Sequence, residues 1–268
     1  MLSRIISLPS ELYHNRKLIM QLAKNDFKTR FAGSYLGIIW AFVQPIVTVL
    51  VYAFVFSKLR NGPVRDVPFV LWLVAGLVPW FFFSEGLNNG TNAFIEYSYL
   101  VKKVVFKISI LPVVKVISAL FVHLFFIVVV LVMYTVSGHY PTLYALQIIY
   151  YSFCMFMMVL ALSYVTSAIV IFFRDLTQII NIILQVGVWM TPIMWNFEDL
   201  KITGILAVIF KLNPMYYILF GYRESLIDKV GFWNHPWQTL YFWVFTAVLF
   251  FIGAKLFRKL KVHFADVL

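Results

Sequence analysis

The chain alternates between long runs of apolar residues and short polar connections. Six of the apolar runs reach about 20 residues, the length that an α-helix needs to cross the hydrocarbon core of a bilayer. Because few charged residues interrupt them, the pattern predicts an all-α integral membrane protein with six transmembrane helices. The predicted spans are Tyr35–Phe56, Val67–Leu87, Ile110–Val136, Tyr144–Phe173, Leu176–Trp195 and Trp237–Phe257.

Two shorter apolar segments lie between the fifth and sixth predicted spans. Ile202–Phe210 and Met215–Ile227 are separated by Asn213 and Pro214, and neither segment is long enough to cross a membrane alone. We predict a re-entrant helical hairpin over residues 202–227, in which protein or a water-filled cavity covers the irregular backbone. A pair of amphipathic helices on the membrane surface is the alternative.

The N-terminal segment, residues 1–34, has a different pattern. It combines apolar and basic side chains at helical spacing, and Pro9 and Ser10 are typical of a helix start. The apolar side chains are Leu12, Met20, Ala23, Phe27 and Phe31, and the basic ones are Arg16, Lys17, Lys24 and Lys28. This pattern predicts an amphipathic helix in the membrane interface, which serves as a lipid anchor, as a docking surface for a partner, or as both.

Composition supports one membrane domain over residues 35–268. The chain is 62% hydrophobic and only 12% charged, which is too apolar for a soluble domain of 268 residues. The net charge of +11 fits basic cytoplasmic loops better than nucleic-acid binding. With the N-terminus inside, the inner segments hold 15 Lys and Arg residues and the outer segments hold 7, so we expect both termini to be cytoplasmic.

The residue pattern gives little support for an enzyme. The sequence has no metal-ligand spacing, no serine-nucleophile motif and no P-loop, so we expect no metal or cofactor in this chain and ATP with Mg²⁺ only on a separate ATPase. We interpret His123 as a buried, hydrogen-bonded histidine rather than a proton relay. We expect Lys115 to reach lipid headgroups and Glu85, near the outer end of its span, to reach water.

Four motifs in order along the chain resemble the permease subunits of ABC transporters that export polysaccharides and teichoic acids. They are "NDFKTRFAGSYLGIIWAFVQP" (Asn25–Pro45), "YSYLVKKVVFKISILP" (Tyr97–Pro112), "FFRDLTQIINIILQVGVWMTPIMW" (Phe172–Trp195) and "LNPMYYILFGYRESL" (Leu212–Leu226). Tyr97 and Lys107 depart from the family pattern, in which Asn and Pro are common at these positions.

The resemblance implies a homodimer of permeases that works with two ATPase subunits. The loop after the second span is then expected to contact the ATPase through Glu96, Tyr99, Leu100, Lys102 and Lys103. The translocation path is expected between the two permeases. Its candidate residues are Tyr35, Trp40, Gln44, Trp72, Trp80, Gln185 and Trp189.

Arg174 and Asp175 separate the fourth and fifth predicted spans. We interpret them as a tight cytoplasmic turn in which Arg174 reaches lipid phosphates and Asp175 caps the next helix, with Gln178 completing a capping box. The resemblance places this turn at the inner mouth of the path, where it is a candidate gate.

The expected substrate is a polymer carried on undecaprenyl pyrophosphate, moved across a bacterial plasma membrane. Wall teichoic acid is the first choice, and O-antigen or capsular polysaccharide is the alternative. A drug-exporting permease of the same fold also remains open. A hypothesis of another class is a membrane transferase acting on polyprenyl-linked sugars, which requires a cluster of acidic or histidine side chains near one interface.

Overall fold

The computed structural model describes residues 12–30, 33–59, 64, 67–102, 107–197 and 200–268. These residues form helices and connecting turns, without a β-strand among them. The helices are α1 (Arg16–Thr29), α2 (Trp40–Leu59), α3 (Phe69–Thr91), α4 (Ala93–Glu96), α5 (Ser98–Val101), α6 (Leu111–Val136), α7 (Gln147–Val170), α8 (Leu176–Met190), α9 (Gly204–Lys211), α10 (Pro214–Arg223), α11 (Pro236–Leu260) and α12 (Phe264–Val267).

The helices confirm an all-α membrane protein. Five of the described helices, α2, α3, α6, α7 and α11, are long and apolar enough to cross a bilayer. The pair α9 and α10, with the π-helical turn Glu224–Asp228, bends by 87° at its break, which fits the predicted re-entrant hairpin and equally a single broken span. The predicted amphipathic helix is present as α1, although Ile19 rather than Met20 lies on its buried face.

The fifth predicted span is shorter than expected. Helix α8 ends at Met190, so it has 15 residues and a length of about 22 Å, against about 30 Å for the hydrocarbon core. Pro192 explains this end, because a proline pushes the preceding residue out of the helical region. Thr191 accordingly has the extended angles φ −92° and ψ 134°. The apolar run continues to Trp195 as a turn rather than as a helix.

Helix α3 forms the centre of the bundle. Of its most apolar stretch 72% of the residues are buried, against 11% for α2 at the edge of the bundle. Helices α6 and α7 pack on α3, and Gly90 allows α7 to approach closely, since a side chain there would collide with Ser163. Helix α2 therefore leaves most of its surface without a partner in this chain.

A buried arginine fixes the turn that follows α8. Arg223, at the end of α10, donates hydrogen bonds of 2.7 Å to the backbone oxygens of both Pro192 and Ile193. Its guanidinium group also lies 3.4 Å from the ring centroid of Trp72 on α3. One planar cation thus joins three segments and satisfies two carbonyl groups that have no helical partner.

We expect Arg223→Lys to destabilise the protein by about 3 kcal/mol, because an ammonium group cannot bind both carbonyl groups and stack on Trp72. The denaturation temperature of the purified protein in detergent should fall by several degrees. Arg174→Lys is the matched control, since Arg174 is exposed. Equal denaturation temperatures for the two variants would contradict the clamp.

Candidate functional site: a polar cavity and a charged junction

A cavity of about 600 Å³ lies between α2, α3 and α8. Unlike the lipid-facing surface, half of its lining residues carry amides, hydroxyls or charged groups. Its polar side chains are Arg30, Gln44, Thr48, Ser84, Glu85, Asn88, Asn89, Asn181 and Gln185. Tyr52, Trp40, Trp80 and Phe81 add aromatic surface. Polar side chains are rare inside a membrane helix bundle, because each one needs a partner in the protein or in water. The cavity therefore stands out from the rest of the bundle.

Helical spacing places these side chains on common faces. Gln44, Thr48 and Tyr52 follow one another at intervals of four on α2, which aligns them along one side of that helix. Asn181 and Gln185 have the same interval on α8. The two peripheral helices thus direct their polar faces into one space, while their remaining surfaces are apolar and exposed.

Four of the seven path candidates line this cavity: Trp40, Gln44, Trp80 and Gln185. The other three do not. Tyr35 is fully exposed before α2. Trp189 on α8 is 52% exposed, and its ring centroid lies 6.5 Å from that of Tyr52 at the cavity wall. Trp72 is 3% exposed and is covered by Arg223. It lies about 80° around α3 from Trp80 and faces α10 rather than this cavity, and a role in the path stays a prediction.

The cavity also contains polar residues that the sequence analysis did not single out. Thr48 and Asn181 were detectable, since each lies four residues from a predicted path glutamine. Asn88 and Asn89 lie in the last turn of α3, and neither is four residues from a predicted path glutamine. Arg30 follows α1 and comes to the cavity only because α1 packs against α6.

A charged junction joins α1 to α4 and α6. Lys115 on α6 is buried and donates a 2.5 Å hydrogen bond to Asp26 on α1. The same ammonium group also bonds to Glu96 at the end of α4. Tyr97 completes the junction by donating its hydroxyl to Asp26 at 2.9 Å. Lys115 therefore does not reach lipid headgroups as predicted, because two carboxylates within the protein hold it.

Arg30 forms a second ion pair beside the first. It pairs with Glu85 on α3 and donates a 3.0 Å hydrogen bond to Ser118 on α6. Glu85 was expected near the outer end of its span, but it lies at the opposite end of α3, next to α1. The expectation was wrong because α3 runs back toward α1, so a residue late in α3 lies close to α1. Arg30 and Glu85 together border the polar cavity.

The carboxyl group of Asp26 is ionised in this junction. Burial alone would raise its pKa, but the charge of Lys115 and hydrogen bonds from Lys115, Ser118 and Tyr97 hold it below its usual 3.8. A depressed pKa contributes stability that is fully present above the unfolded value and is lost only as the pH falls through the folded value. The junction should therefore be insensitive to pH between 5 and 8, as far as Asp26 is concerned.

The predicted coupling residues lie beside this junction. Tyr99 is exposed on α5, and Lys102 follows α5 and is also exposed. Leu100 is half-buried and packs into a small cluster around Phe94. Glu96 is the point at which this surface meets Lys115. Lys103 falls outside the described residues.

The turn between α7 and α8 has the predicted place but not the predicted cap. Arg174 and Asp175 are both exposed. Asp175 has helical angles, φ −65° and ψ −14°, and its side chain makes no capping hydrogen bond. The cap is wrong because these angles differ from the extended ones of a capping residue. Gln178 instead accepts a hydrogen bond from Asn181. A role as a gate stays a prediction.

His123 is a buried, hydrogen-bonded histidine, as the sequence predicted. The side chain lies 2.9 Å from the Tyr222 hydroxyl and stacks on Phe82 with ring centroids 4.8 Å apart. It is buried at the packing of α6 with its neighbours, away from the polar cavity.

Comparison with known proteins assigns the family. A sequence profile of the ABC-2 type transporter family matches residues 17–227, which is most of the chain. The chain belongs to the ABC-2 type transporter family. The match begins in α1 and ends after α10, so it includes both the polar cavity and the charged junction of this permease.

Relatives of this permease extend over nearly its whole length. The O-antigen export system permease protein RfbA of Myxococcus xanthus is 27% identical over 262 residues, which are 98% of this chain and 99% of the relative. A protein of the same name from Klebsiella pneumoniae is 26% identical over 254 residues, 94% and 95% of the two chains. The polysialic acid transport protein KpsM of Escherichia coli is 20% identical over 234 residues, 87% and 89% of the two chains.

We expect Lys115→Met to destabilise the permease by about 3–5 kcal/mol, because it leaves the buried Asp26 carboxylate without its closest cation. The denaturation temperature in detergent should fall, and α1 should become accessible to protease. Adding Asp26→Asn should recover much of the loss, since the uncompensated charge is then removed.

Lys255→Met on α11 is the matched control, because Lys255 is exposed. The junction would be refuted if Lys115→Met and this control had the same denaturation temperature and the same resistance of α1 to protease.

Proposed function

We propose that this permease is the membrane-spanning subunit of an ATP-driven exporter that moves a lipid-linked polysaccharide across a bacterial plasma membrane. The observation that carries the proposal is the cavity between α2, α3 and α8, where amides and tryptophans meet inside a membrane bundle. The names of the relatives support a polysaccharide cargo. They favour O-antigen or capsular polysaccharide over wall teichoic acid, the first choice from sequence.

The cavity has the chemistry that a sugar chain requires. Gln44 and Gln185 offer amide donors and acceptors to hydroxyl groups, and Trp40 and Trp80 offer flat apolar faces to the C–H faces of sugar rings. With about 600 Å³, the cavity has the size of a site for one small molecule. A polymer would therefore pass through it a few sugar units at a time.

A second copy of the chain would complete the path. Helices α2 and α8 expose most of their surface, and between them the polar cavity opens to the outside of the single chain. Lipid cannot satisfy the amides of Gln44 and Asn181, so exposure of this opening to hydrocarbon is unfavourable. In a homodimer the two openings would face each other and enclose one polar passage.

A separate ATPase would act on the surface formed by α4 and α5. Tyr99 and Lys102 are exposed there, and Glu96 connects the surface to α6 and α1 through Lys115. A displacement of α5 would therefore be transmitted to α1 and α6 through ion pairs rather than through a loose loop. Arg30 would carry the same displacement to the edge of the cavity.

The double variant Gln44→Leu with Gln185→Leu should reduce export by at least about tenfold, because two groups that bind sugar hydroxyls are lost from the path. The measurement is the amount of polymer at the cell surface per molecule of permease in the membrane. Ile182→Leu with Ile183→Leu is the control on the exposed apolar face of α8. Wild-type export by the glutamine variant would overturn the assignment of the path.

Tyr99→Asp should abolish the stimulation of the partner ATPase by the permease, because a charge replaces an exposed ring at the proposed contact. The rate of ATP hydrolysis by the reconstituted complex is the measurement. Tyr140→Asp is the control, since Tyr140 is exposed in the loop between α6 and α7, at the other end of the bundle. If both variants retained full stimulation, the coupling surface would lie elsewhere.

A further inference from the structure

An apolar groove runs along the outside of α6 and α7, away from the polar cavity. It encloses about 790 Å³, and its wall on α6 is formed by side chains at helical spacing: Ile117, Leu120, Phe121, Leu124, Ile127 and Leu131. From Ile117 to Leu131 this wall is about 21 Å long at the rise of an α-helix. That exceeds the half-thickness of the hydrocarbon core, about 15 Å, so a whole acyl chain fits along it.

One end of the groove meets a basic surface on α1. Met20 lines the groove and also lines a depression formed with Arg16, Lys17, Gln21 and Lys24. All three cations of this depression are exposed. The contact of Phe27 with Phe121, with ring centroids 5.8 Å apart, holds α1 against the groove wall.

The charge of this surface is not neutralised within α1. Asp26 is the one carboxylate of that helix, and it is buried on the opposite face, where Lys115 binds it. Of the two hydroxyl side chains that line the groove, Thr142 and Ser152, Ser152 is engaged elsewhere, since its hydroxyl lies 2.6 Å from that of Tyr222. The combined surface therefore has a cationic end and an apolar trough, which is the chemistry of a lipid with an anionic headgroup.

We propose that one anionic phospholipid occupies this surface, with its phosphate on the α1 cations and one acyl chain in the groove between α6 and α7. The lipid would brace α1 against α6 and α7 from the outside, as Asp26 and Lys115 do from the inside. This site is separate from the proposed transport path, so it stands whether or not the chain exports a polysaccharide.

The test is native mass spectrometry of the delipidated full-length permease with phosphatidylglycerol and with phosphatidylcholine that has the same acyl chains. We expect one retained phosphatidylglycerol and weaker binding of phosphatidylcholine. Replacing Arg16, Lys17 and Lys24 together by Gln should weaken phosphatidylglycerol binding at least about tenfold. The matched control replaces Lys255, Lys259 and Lys261 by Gln, three exposed lysines after and within α11.

A second pair of variants tests the groove. Leu124→Trp should fill it and weaken binding of both lipids, whereas Val248→Trp, on the exposed surface of α11, should not. The proposal fails if the two glutamine triplets behave alike, or if Leu124→Trp binds lipid like the wild type. It also fails if a polyprenyl phosphate displaces phosphatidylglycerol at one equivalent, since the surface would then be a substrate site.

Discussion

The structure depends on one constraint: a polar group inside a membrane bundle must find a partner within the protein or in a water-filled space. Arg223 satisfies the carbonyl groups of Pro192 and Ile193 in the turn after α8, and Lys115 is held by Asp26 and Glu96. In each case a long cationic side chain joins segments that are distant in the sequence. The buried charges thus act as the fixed points of a bundle whose apolar contacts are otherwise interchangeable with lipid.

The same constraint explains why the polar cavity is unfavourable when it faces lipid. Helix α2 has few buried residues, yet it carries Gln44 and Thr48 on one face beside the amides of α8. Such a surface is unfavourable against hydrocarbon and suited to a passage between two copies. Arg30 lies 3.5 Å from Asp26, so the Lys115 junction and the ion pair of Arg30 with Glu85 are connected. The surface proposed to meet an ATPase and the edge of the polar cavity therefore belong to one set of ion pairs.

Much of this architecture was predictable from the sequence, because apolar length and helical spacing are local signals. The helices follow the apolar runs, and α8 departs from its run at a proline whose effect is also local. The contacts of charged residues were not predictable in this way. The sequence pattern placed Lys115 near lipid headgroups, because its partner Asp26 is 89 positions away in the chain and only the fold brings the two together. Trp72 and Trp80 look equivalent along α3 until Arg223 covers one of them.

The central claim is that a second copy closes the polar cavity between α2 and α8. Cross-linking of single cysteines in native membranes tests it most directly, in a Cys154→Ala background that removes the one native cysteine. Cysteines at the exposed positions Val47 and Val51 on α2 should form dimers through a short bifunctional reagent. Cysteines at Val128 and Val132 on the outer face of α6 should not. Dimers through α6 with none through α2 would contradict the account.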